Sequence, residues 1–238
     1  MEPAGAPIPP RLPLAELVAV RHGQSTANVL FATARRGGPV VVPSESRDAD
    51  VPLSEPGRAQ SVALGRWLAA LAPGSRPELV LSSPYLRARR TWTLMAEAAG
   101  GGWPAPLVDE RLRDREMGVF GLLPEAVIRE RAPEEAERRD RLGDWFYRPP
   151  GGESLADVVL RVRDLLTELA AAAAGRRVLL VAHDAVVAAV RQVAAGLGAP
   201  PPPGDEEPVP NASISRWVGD GGRLRLVGYG ATDHLPAA

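Results

Sequence analysis

The sequence predicts an α/β fold with a mostly parallel central sheet, and three short apolar runs are the main reason. Residues 17–20 (LVAV), 79–81 (LVL) and 178–182 (VLLVA) have the length and the β-branched content of buried strands. Between them lie segments in which apolar residues recur at helical spacing. Strands that alternate with helices along a chain are typical of a parallel sheet whose strands are connected by helices.

The remaining elements follow from caps and periodicity. Ser54 is a candidate N-cap, and Ser83-Pro84 puts a proline at the favoured first position of another helix. A longer amphipathic helix follows residues 151–154, and its apolar face comprises Leu155, Val158, Val159, Val162, Leu165, Leu166 and Leu169. Residues 213–218 and 224–229 predict a closing hairpin around Asp220-Gly221.

Composition excludes several classes of function. The 238 residues carry a net charge of −1 without a basic block, which argues against nucleic acid and membrane surfaces as partners. All 28 basic residues are arginine, so a P-loop lysine is absent, and the lack of cysteine excludes disulfides and a thiol nucleophile. The first residues, MEPAGAPIPPRLP, lack an apolar core, and no apolar run approaches about 20 residues. We therefore expect a cytoplasmic protein.

Two of the three histidines end predicted strands. His22 follows the first strand directly after Arg21, and His183 follows residues 178–182. If these strands are parallel neighbours, both imidazoles project from the sheet edge at which α/β folds bind ligands. Two imidazoles and one guanidinium at that edge predict an anion site. The alternative is that each histidine only ends a strand that turns into a solvated loop.

Six segments, in order, resemble those of the histidine phosphatase family, which has the phosphoglycerate-mutase-like fold. The first is Arg21-His22-Gly23-Gln24-Ser25, with Asn28 three residues further on. The others are PLSEPGRAQ (52–60), LSSPYLRARRT (81–91), LRDREMG (112–118), PPGGES (149–154) and VLLVAHD (178–184). They lie between residues 21 and 184. The resemblance implies a three-layer sandwich, in which a mostly parallel sheet is flanked by helices.

The resemblance also implies a mechanism through a phosphohistidine. His22 would be the nucleophile, with its other ring nitrogen held by a fixed acceptor such as the Gly23 carbonyl. The implied catalytic residues are His22, Asp114, His183, Arg21 and Arg87. The implied phosphate-binding residues are Arg21, Gly23, Gln24, Ser25, Asn28, Arg87 and His183, with the loop amides after His22 completing the pocket. No metal or other cofactor is predicted.

Arg87 is one of three arginines in the first turn of a predicted helix. Arg89 and Arg90 are the others, and cations at this end oppose the helix dipole. A bound anion would explain such a cluster, while solubility explains any arginine that faces water. The family segment selects Arg87, the residue before Ala88, as the phosphate ligand.

Two positions depart from the family pattern. The general acid of the family is a glutamate, and the alignment places the shorter Asp114 there, with Glu116 as the competing candidate. Family members have glycine after the second histidine, whereas this chain has Asp184. Because a carboxylate would repel a phosphate, we expect Asp184 to point away or to orient a neighbouring side chain.

The domain organisation follows from the same segments. Residues 1–13 are predicted to be disordered because they are Pro-rich, and 14–238 are predicted to form a single domain. Within it, 29–50 is interpreted as a substrate loop and 119–150 as a cap of short helices. The arginines of the substrate loop are interpreted as solvated.

The sequence therefore predicts a metal-independent phosphomonoester hydrolase that acts on a small phosphorylated metabolite. One alternative is a phosphoglycerate-mutase-type phosphotransferase, which is disfavoured because such enzymes carry a longer insertion between the acid and the second histidine. Another is a non-catalytic phosphometabolite-binding protein. A small phosphorylated substrate is the expected partner, without nucleic acid or membrane, and a homodimer is one possible assembly.

Overall fold

The computed structural model describes residues 10–39, 47–197 and 209–236. Within these ranges, one sheet is formed by β1 Glu16–Arg21, β2 Leu79–Ser82, β3 Leu107–Val108, β4 Arg177–Ala182, β5 Ile214–Asp220 and β6 Arg223–Ala231. The strand order is β3-β2-β4-β1-β5-β6. The first four strands of that order run parallel, and β5 and β6 are antiparallel to their neighbours. The predicted α/β fold and the predicted closing hairpin are both confirmed.

The register of β1 against β4 places two strand ends side by side. Arg21, the last residue of β1, lies opposite Ala182, the last residue of β4. His22 N extends this pairing by donating to the Ala182 carbonyl at 2.9 Å. His22 and His183 therefore leave the sheet at the same edge, as the sequence predicts for parallel neighbours.

Helices cover both faces of the sheet. Their bounds are α1 Thr26–Arg35, α2 Glu55–Ala69, α3 Leu86–Ala98, α4 Glu125–Arg131, α5 Pro133–Phe146, α6 Leu155–Ala172 and α7 Asp184–Ala194. Val18 and Val20 of β1 share one apolar core with α2 and α3, whereas Leu17 and Ala19 share the opposite core with α6 and α7. This alternation is the period of two of a strand that is buried on both faces, and it confirms the three-layer sandwich.

Serine caps begin the helices around the site. Ser25, Ser54 and Ser154 each accept a hydrogen bond from the amide three residues on. The cap predicted at Ser54 is confirmed. Helix α3 begins at Leu86 rather than at the predicted Ser83-Pro84, because the Ser83 hydroxyl first accepts the Tyr85 amide at 3.2 Å and holds a turn there.

Two predicted segments differ from the structure. Residues 10–13, placed in the disordered N-terminal segment, are ordered: Leu12 is buried in the core, and its amide donates to the Gly222 carbonyl at 2.8 Å. Residues 26–35, most of which fall in the predicted 29–50 loop, form α1 because the Ser25 cap continues into a helical run. Residues 1–9 and 40–46 lie outside the described ranges. Residues 119–150 contain α4 and α5, and their role as a cap stays a prediction.

Among the residues described, the helices are too short or too polar to cross a membrane. The longest described helix, α6, is an amphipathic helix whose apolar face packs into the core. Of the apolar face predicted from Leu155 to Leu169, Leu155 is half-buried and the other six residues are buried. This face therefore packs into the core and takes no part in chemistry.

Candidate active site

The turn after β1 fixes the orientation of the first histidine. His22 is 2% exposed, and its Nδ1 lies 2.7 Å from the Gly23 carbonyl oxygen. Because a carbonyl oxygen can only accept, Nδ1 carries the proton and Nε2 presents a lone pair. A Cβ on Gly23 would lie 2.4 Å from the Gly57 carbonyl oxygen, so this close approach requires glycine. The acceptor expected for His22 is therefore present.

The imidazole of His22 is held neutral. Burial lowers its pKa well below the ordinary value, and the neighbouring His183, Arg87 and Arg21 lower the pKa further. The hydrogen bond to Gly23 acts in the opposite direction and is outweighed. A neutral imidazole with an unprotonated Nε2 is the form that can act as a nucleophile.

His183 is fully buried beside His22. The two ring centroids are 5.0 Å apart at an angle of 63°. His183 Nε2 lies 2.8 Å from Ser83 Oγ, and its Nδ1 lies 3.2 Å from Asp114 Oδ2. Burial lowers the pKa of His183 although Asp114 acts to raise it. The Ser83 contact fixes the ring so that Nδ1 faces the acidic side chain.

Of the three arginines in the first turn of α3, Arg87 is the one whose side chain is buried. Its side chain is 4% exposed, whereas Arg89 and Arg90 are exposed to solvent. Arg87 Nε donates to His22 Nε2 at 3.3 Å, and Nη2 donates to Asp114 Oδ2 at 2.8 Å. Of the three arginines, the one that the family segment selects is therefore the one beside the histidines.

Asp114, rather than Glu116, lies in this cluster. Burial acts to raise the pKa of Asp114, but the charges of His183 and Arg87 outweigh it and hold the pKa well below its ordinary value. Glu116 is 40% exposed and accepts a short hydrogen bond from the Tyr85 hydroxyl. Of the two alternatives that the sequence left open, Asp114 is the carboxylate next to the candidate nucleophile.

Arg21 is positioned by groups on either side of the sheet edge. Its Nη1 donates to the Val209 carbonyl at 2.6 Å, and its Nη2 pairs with Asp184 Oδ2 at 2.8 Å. Asp184 thus orients a neighbouring side chain, which is one of the two outcomes expected for it. Arg21 Nε is buried and has no hydrogen-bond partner among the described residues.

The amides of the turn after His22 are already engaged. The amides predicted to complete the pocket are the four of residues 23–26. Those of Gly23, Gln24 and Ser25 donate to side-chain oxygens of Thr91, Gln60 and Asn28, and the amide of Thr26 donates to the Pro52 carbonyl. Ser25 and Asn28 also cap α1, so their side chains are used locally. None of the four amides is free in this structure, and the phosphate cradle of loop amides stays a prediction.

Sequence reasoning did not single out three residues of the site. Asp48 Oδ1 accepts from Arg87 Nη1 at 2.9 Å, and burial raises the pKa of Asp48 although Arg87 opposes this. The Tyr85 ring lies 5.2 Å from the His183 ring and 4.9 Å from the Arg87 guanidinium carbon. Ser83 and Tyr85 could have been found because they flank Arg87 in the family segment. For Asp48 the only signals were its charge and its place in the predicted 29–50 substrate loop.

The fold and the geometry agree with a family comparison. A sequence profile of the histidine phosphatase superfamily (branch 1) matches residues 17–232. The chain belongs to this superfamily. The resemblance inferred from six short segments is thereby confirmed over nearly the whole chain.

Curated phosphatases and phosphoglycerate mutases are similar to it over part of their length. The glucosyl-3-phosphoglycerate phosphatase of Mycobacterium tuberculosis (strain ATCC 25618 / H37Rv) is 36% identical over 157 residues, which are 66% of this chain and 60% of that protein. The 2,3-bisphosphoglycerate-dependent phosphoglycerate mutase 2 of Gloeobacter violaceus is 34% identical over 151 residues, which are 62% of this chain and 60% of that protein. The chain spans between about half and two thirds of the length of the curated relatives that it matches.

A solved structure extends the likeness. The mycobacterial glucosyl-3-phosphoglycerate phosphatase in complex with VO3 superimposes with a TM-score of 0.71 at 32% identity. The superposition covers 92% of this chain and 100% of that one. The whole architecture of the histidine phosphatase fold is therefore shared, beyond the local signature.

Two orphaned groups indicate what this histidine phosphatase site accommodates. Arg21 Nε and His183 Nδ1 are buried without a hydrogen-bond partner among the described residues. The contact of His183 Nδ1 with Asp114 at 3.2 Å is not aligned as a hydrogen bond. Buried donors are normally paired, so a ligand atom that accepts hydrogen bonds would satisfy both groups. A phosphoryl oxygen is such an acceptor.

A metal ion is the other ligand that this cluster could hold. One ligand atom from each of His22, Asp114 and His183 lies within 4.8 Å of the others. Two imidazoles and a carboxylate form a usable zinc set. However, the Arg87 guanidinium lies 3.3 Å from His22 Nε2, and its fixed positive charge favours an anion over a cation at this position.

Proposed function

We propose that the protein is a metal-independent phosphomonoester hydrolase that acts through a phosphohistidine on a small phosphorylated metabolite. The observation that carries the proposal is the state of His22: its Nδ1 proton is held by the Gly23 carbonyl, so a neutral Nε2 faces the Arg87 guanidinium. A nucleophile beside a fixed cation is what phosphoryl transfer requires.

In the first step, His22 Nε2 attacks phosphorus and the bond to the ester oxygen breaks. Arg87, Arg21 Nε and His183 stabilise the charge on the equatorial oxygens. Asp114 gives a proton to the departing alkoxide. The pKa of Asp114 is low in the free protein. A phosphate dianion that binds Arg87 and His183 raises this pKa by its negative charge, and Asp114 then takes up from solvent the proton that it donates.

In the second step, water attacks the phosphohistidine. Asp114, now a carboxylate, accepts a proton from the water, the bond between phosphorus and His22 Nε2 breaks, and inorganic phosphate leaves. The histidine returns to the neutral state in which Gly23 holds it. The cycle needs no metal or other cofactor.

The likeness to glucosyl-3-phosphoglycerate phosphatase supports a phosphorylated small metabolite as substrate. The likeness to bisphosphoglycerate-dependent mutases keeps phosphoryl transfer as a second candidate. The short segment between Asp114 and His183 favours hydrolysis over transfer. A binding protein without turnover is disfavoured because the nucleophile and the acid are both in place. We further propose a cytoplasmic location.

A substrate panel assayed in EDTA tests the reaction. The panel should contain 4-nitrophenyl phosphate, glucosyl-3-phosphoglycerate, 3-phosphoglycerate with a 2,3-bisphosphoglycerate primer, sugar phosphates and nucleotides. We expect phosphate release that survives EDTA and exceeds any isomerisation of 3-phosphoglycerate. Faster isomerisation than hydrolysis would identify a mutase. Binding without turnover would identify a binding protein, and recovery only on adding metal would exclude the metal-free mechanism.

Arg87→Ala and His183→Ala should each cost about 2.7–4 kcal/mol in kcat/KM, by analogy with the loss of one preorganised oxyanion donor. The loss should be the same for every substrate, because both residues bind the phosphoryl group that all substrates share. Arg89→Ala is the matched control on the exposed side of the same helix turn. A loss confined to one substrate would place Arg87 or His183 in a specificity pocket instead.

A further inference from the structure

Asp48 reaches the phosphate-binding arginine from a segment that carries no family signature. It is the first residue of a short 3₁₀ turn, Asp48–Asp50, and its side chain is 25% exposed. Its main-chain carbonyl accepts from Arg87 Nη1 at 2.7 Å, and its Oδ1 accepts from the same nitrogen at 2.9 Å. Its Oδ2 lies 3.4 Å from Arg87 Nη2. One residue thus engages both terminal nitrogens of the guanidinium.

With Asp48 in this position, the donors of Arg87 are fully used. Nε donates to His22 Nε2 at 3.3 Å, and Nη2 donates to Asp114 Oδ2 at 2.8 Å. Both hydrogen bonds that Nη1 donates go to Asp48. A phosphoryl group that is to be held by the terminal nitrogens must therefore take the place of a carboxylate. Of the two carboxylates, Asp114 also lies 3.2 Å from His183 Nδ1, whereas the described hydrogen bonds of the Asp48 carboxylate are all with Arg87.

The charges make Asp48 the group to be displaced. Asp48 and Asp114 share a single guanidinium, and each carboxylate repels the other. A phosphate dianion adds two further negative charges at the same point, so all three anions cannot remain there together. The bidentate contact of a carboxylate with Arg87 uses the same planar fork that binds phosphate.

We propose that Asp48 is an internal competitor for the phosphate site and thereby determines the affinity of the protein for phosphoryl groups. In the absence of a ligand, the Asp48 carboxylate accepts hydrogen bonds from the Arg87 nitrogens that would otherwise bind two phosphoryl oxygens. Phosphate can bind Arg87 only when the Asp48–Arg87 contact breaks. The free energy of that contact is therefore subtracted from the binding of every phosphorylated ligand, which weakens its apparent affinity. This proposal rests on the proposed function in one respect, namely that Arg87 binds phosphate.

Calorimetric titration with inorganic phosphate tests the proposal without relying on turnover. Asp48→Asn keeps the shape of the side chain but removes its charge, and Asp48→Ala removes the acceptors altogether. We expect both variants to bind phosphate at least about tenfold more tightly than the wild type, since a hydrogen bond to a charged group is worth about that factor or more. Asp50→Asn, exposed on the same turn, is the matched control and should bind like the wild type.

The sign of the change decides the outcome. Weaker phosphate binding in the Asp48 variants would show that Asp48 holds Arg87 in place for the ligand, and unchanged binding would show that the contact is without consequence; either overturns the proposal. With turnover substrates, KM should fall by the same factor as the dissociation constant. A loss of kcat that is larger for alkyl than for aryl phosphates would make Asp48 a proton donor instead. Tight phosphate binding by both variants without any turnover would refute the hydrolase and leave the competition supported.

Discussion

Replacing His22 with alanine is expected to abolish phosphomonoester hydrolysis, with a loss in kcat on the order of 10⁴ or more, as found for other enzymes that lose their nucleophile. Without Nε2 no covalent bond to phosphorus can form, so the phosphohistidine intermediate is lost. The charged groups around the site cannot replace that bond. The measurement is steady-state phosphate release together with acid-quench trapping of the phosphoenzyme from a ³²P-labelled substrate.

The third histidine is a control for the His22 variant. His234 Nε2 lies 3.0 Å from the Ala212 carbonyl oxygen rather than from a side chain of the cluster, so His234→Ala should retain turnover and labelling. Thermal melts of both variants separate loss of chemistry from loss of fold. Labelled phosphoenzyme in His22→Ala would move the nucleophile to His183, the other buried histidine of the site.

The lowered pKa of His22 adds a pH signature to the same experiment. Its neutral form is the nucleophile, and a pKa below the ordinary value of about 6.5 keeps this form populated as the pH falls through 6.5. Protonation of His22 should therefore slow phosphoenzyme formation, measured as a single-turnover rate, only below pH 6.5. An acid limb centred above 6.5 would contradict a buried, neutral nucleophile.

Asp114→Asn is expected to slow phosphoenzyme formation by about 10²–10⁴-fold for alkyl phosphates, which is the usual contribution of a general acid. Alkoxides are poor leaving groups and need the proton that Asp114 supplies. Aryl phosphates with acidic leaving groups need little protonation, so their loss should be only a few-fold. Single-turnover rates with one alkyl and one aryl phosphate measure the difference.

Glu116→Gln is the matched control, because it changes a carboxylate two residues away that contacts Tyr85 rather than Arg87. It should leave both substrates nearly unchanged. Equal losses on both substrates in Asp114→Asn would show that Asp114 positions Arg87 and His183 instead of donating a proton. A leaving-group-dependent loss in Glu116→Gln would transfer the acid role to that residue.

The features that could be predicted from the sequence are those that local patterns encode. Apolar runs of strand length and the 3.6-residue periodicity of α6 specify the layers, because burial depends on which residues share a face. The RHG turn specifies the orientation of His22, because its acceptor, the Gly23 carbonyl, belongs to the next residue. The family segment around Arg87 identifies the buried arginine, because that segment is also a local pattern in the sequence.

What only the tertiary structure decided depends on partners that are distant in the chain. Arg87 meets Asp48 and Asp114, 39 and 27 residues away, and this convergence distinguishes Asp114 from Glu116 and reveals Asp48. The amides of Gly23 and Gln24 donate to side chains of α3 and α2. Leu12 is buried in the same core cluster as residues of α6 and α7, which are distant in the chain. Side-chain chemistry alone determined which residues could act on a phosphate in this protein. Which of them share one guanidinium was decided by the packing of separate elements, because charge and burial act through distance in space rather than along the chain.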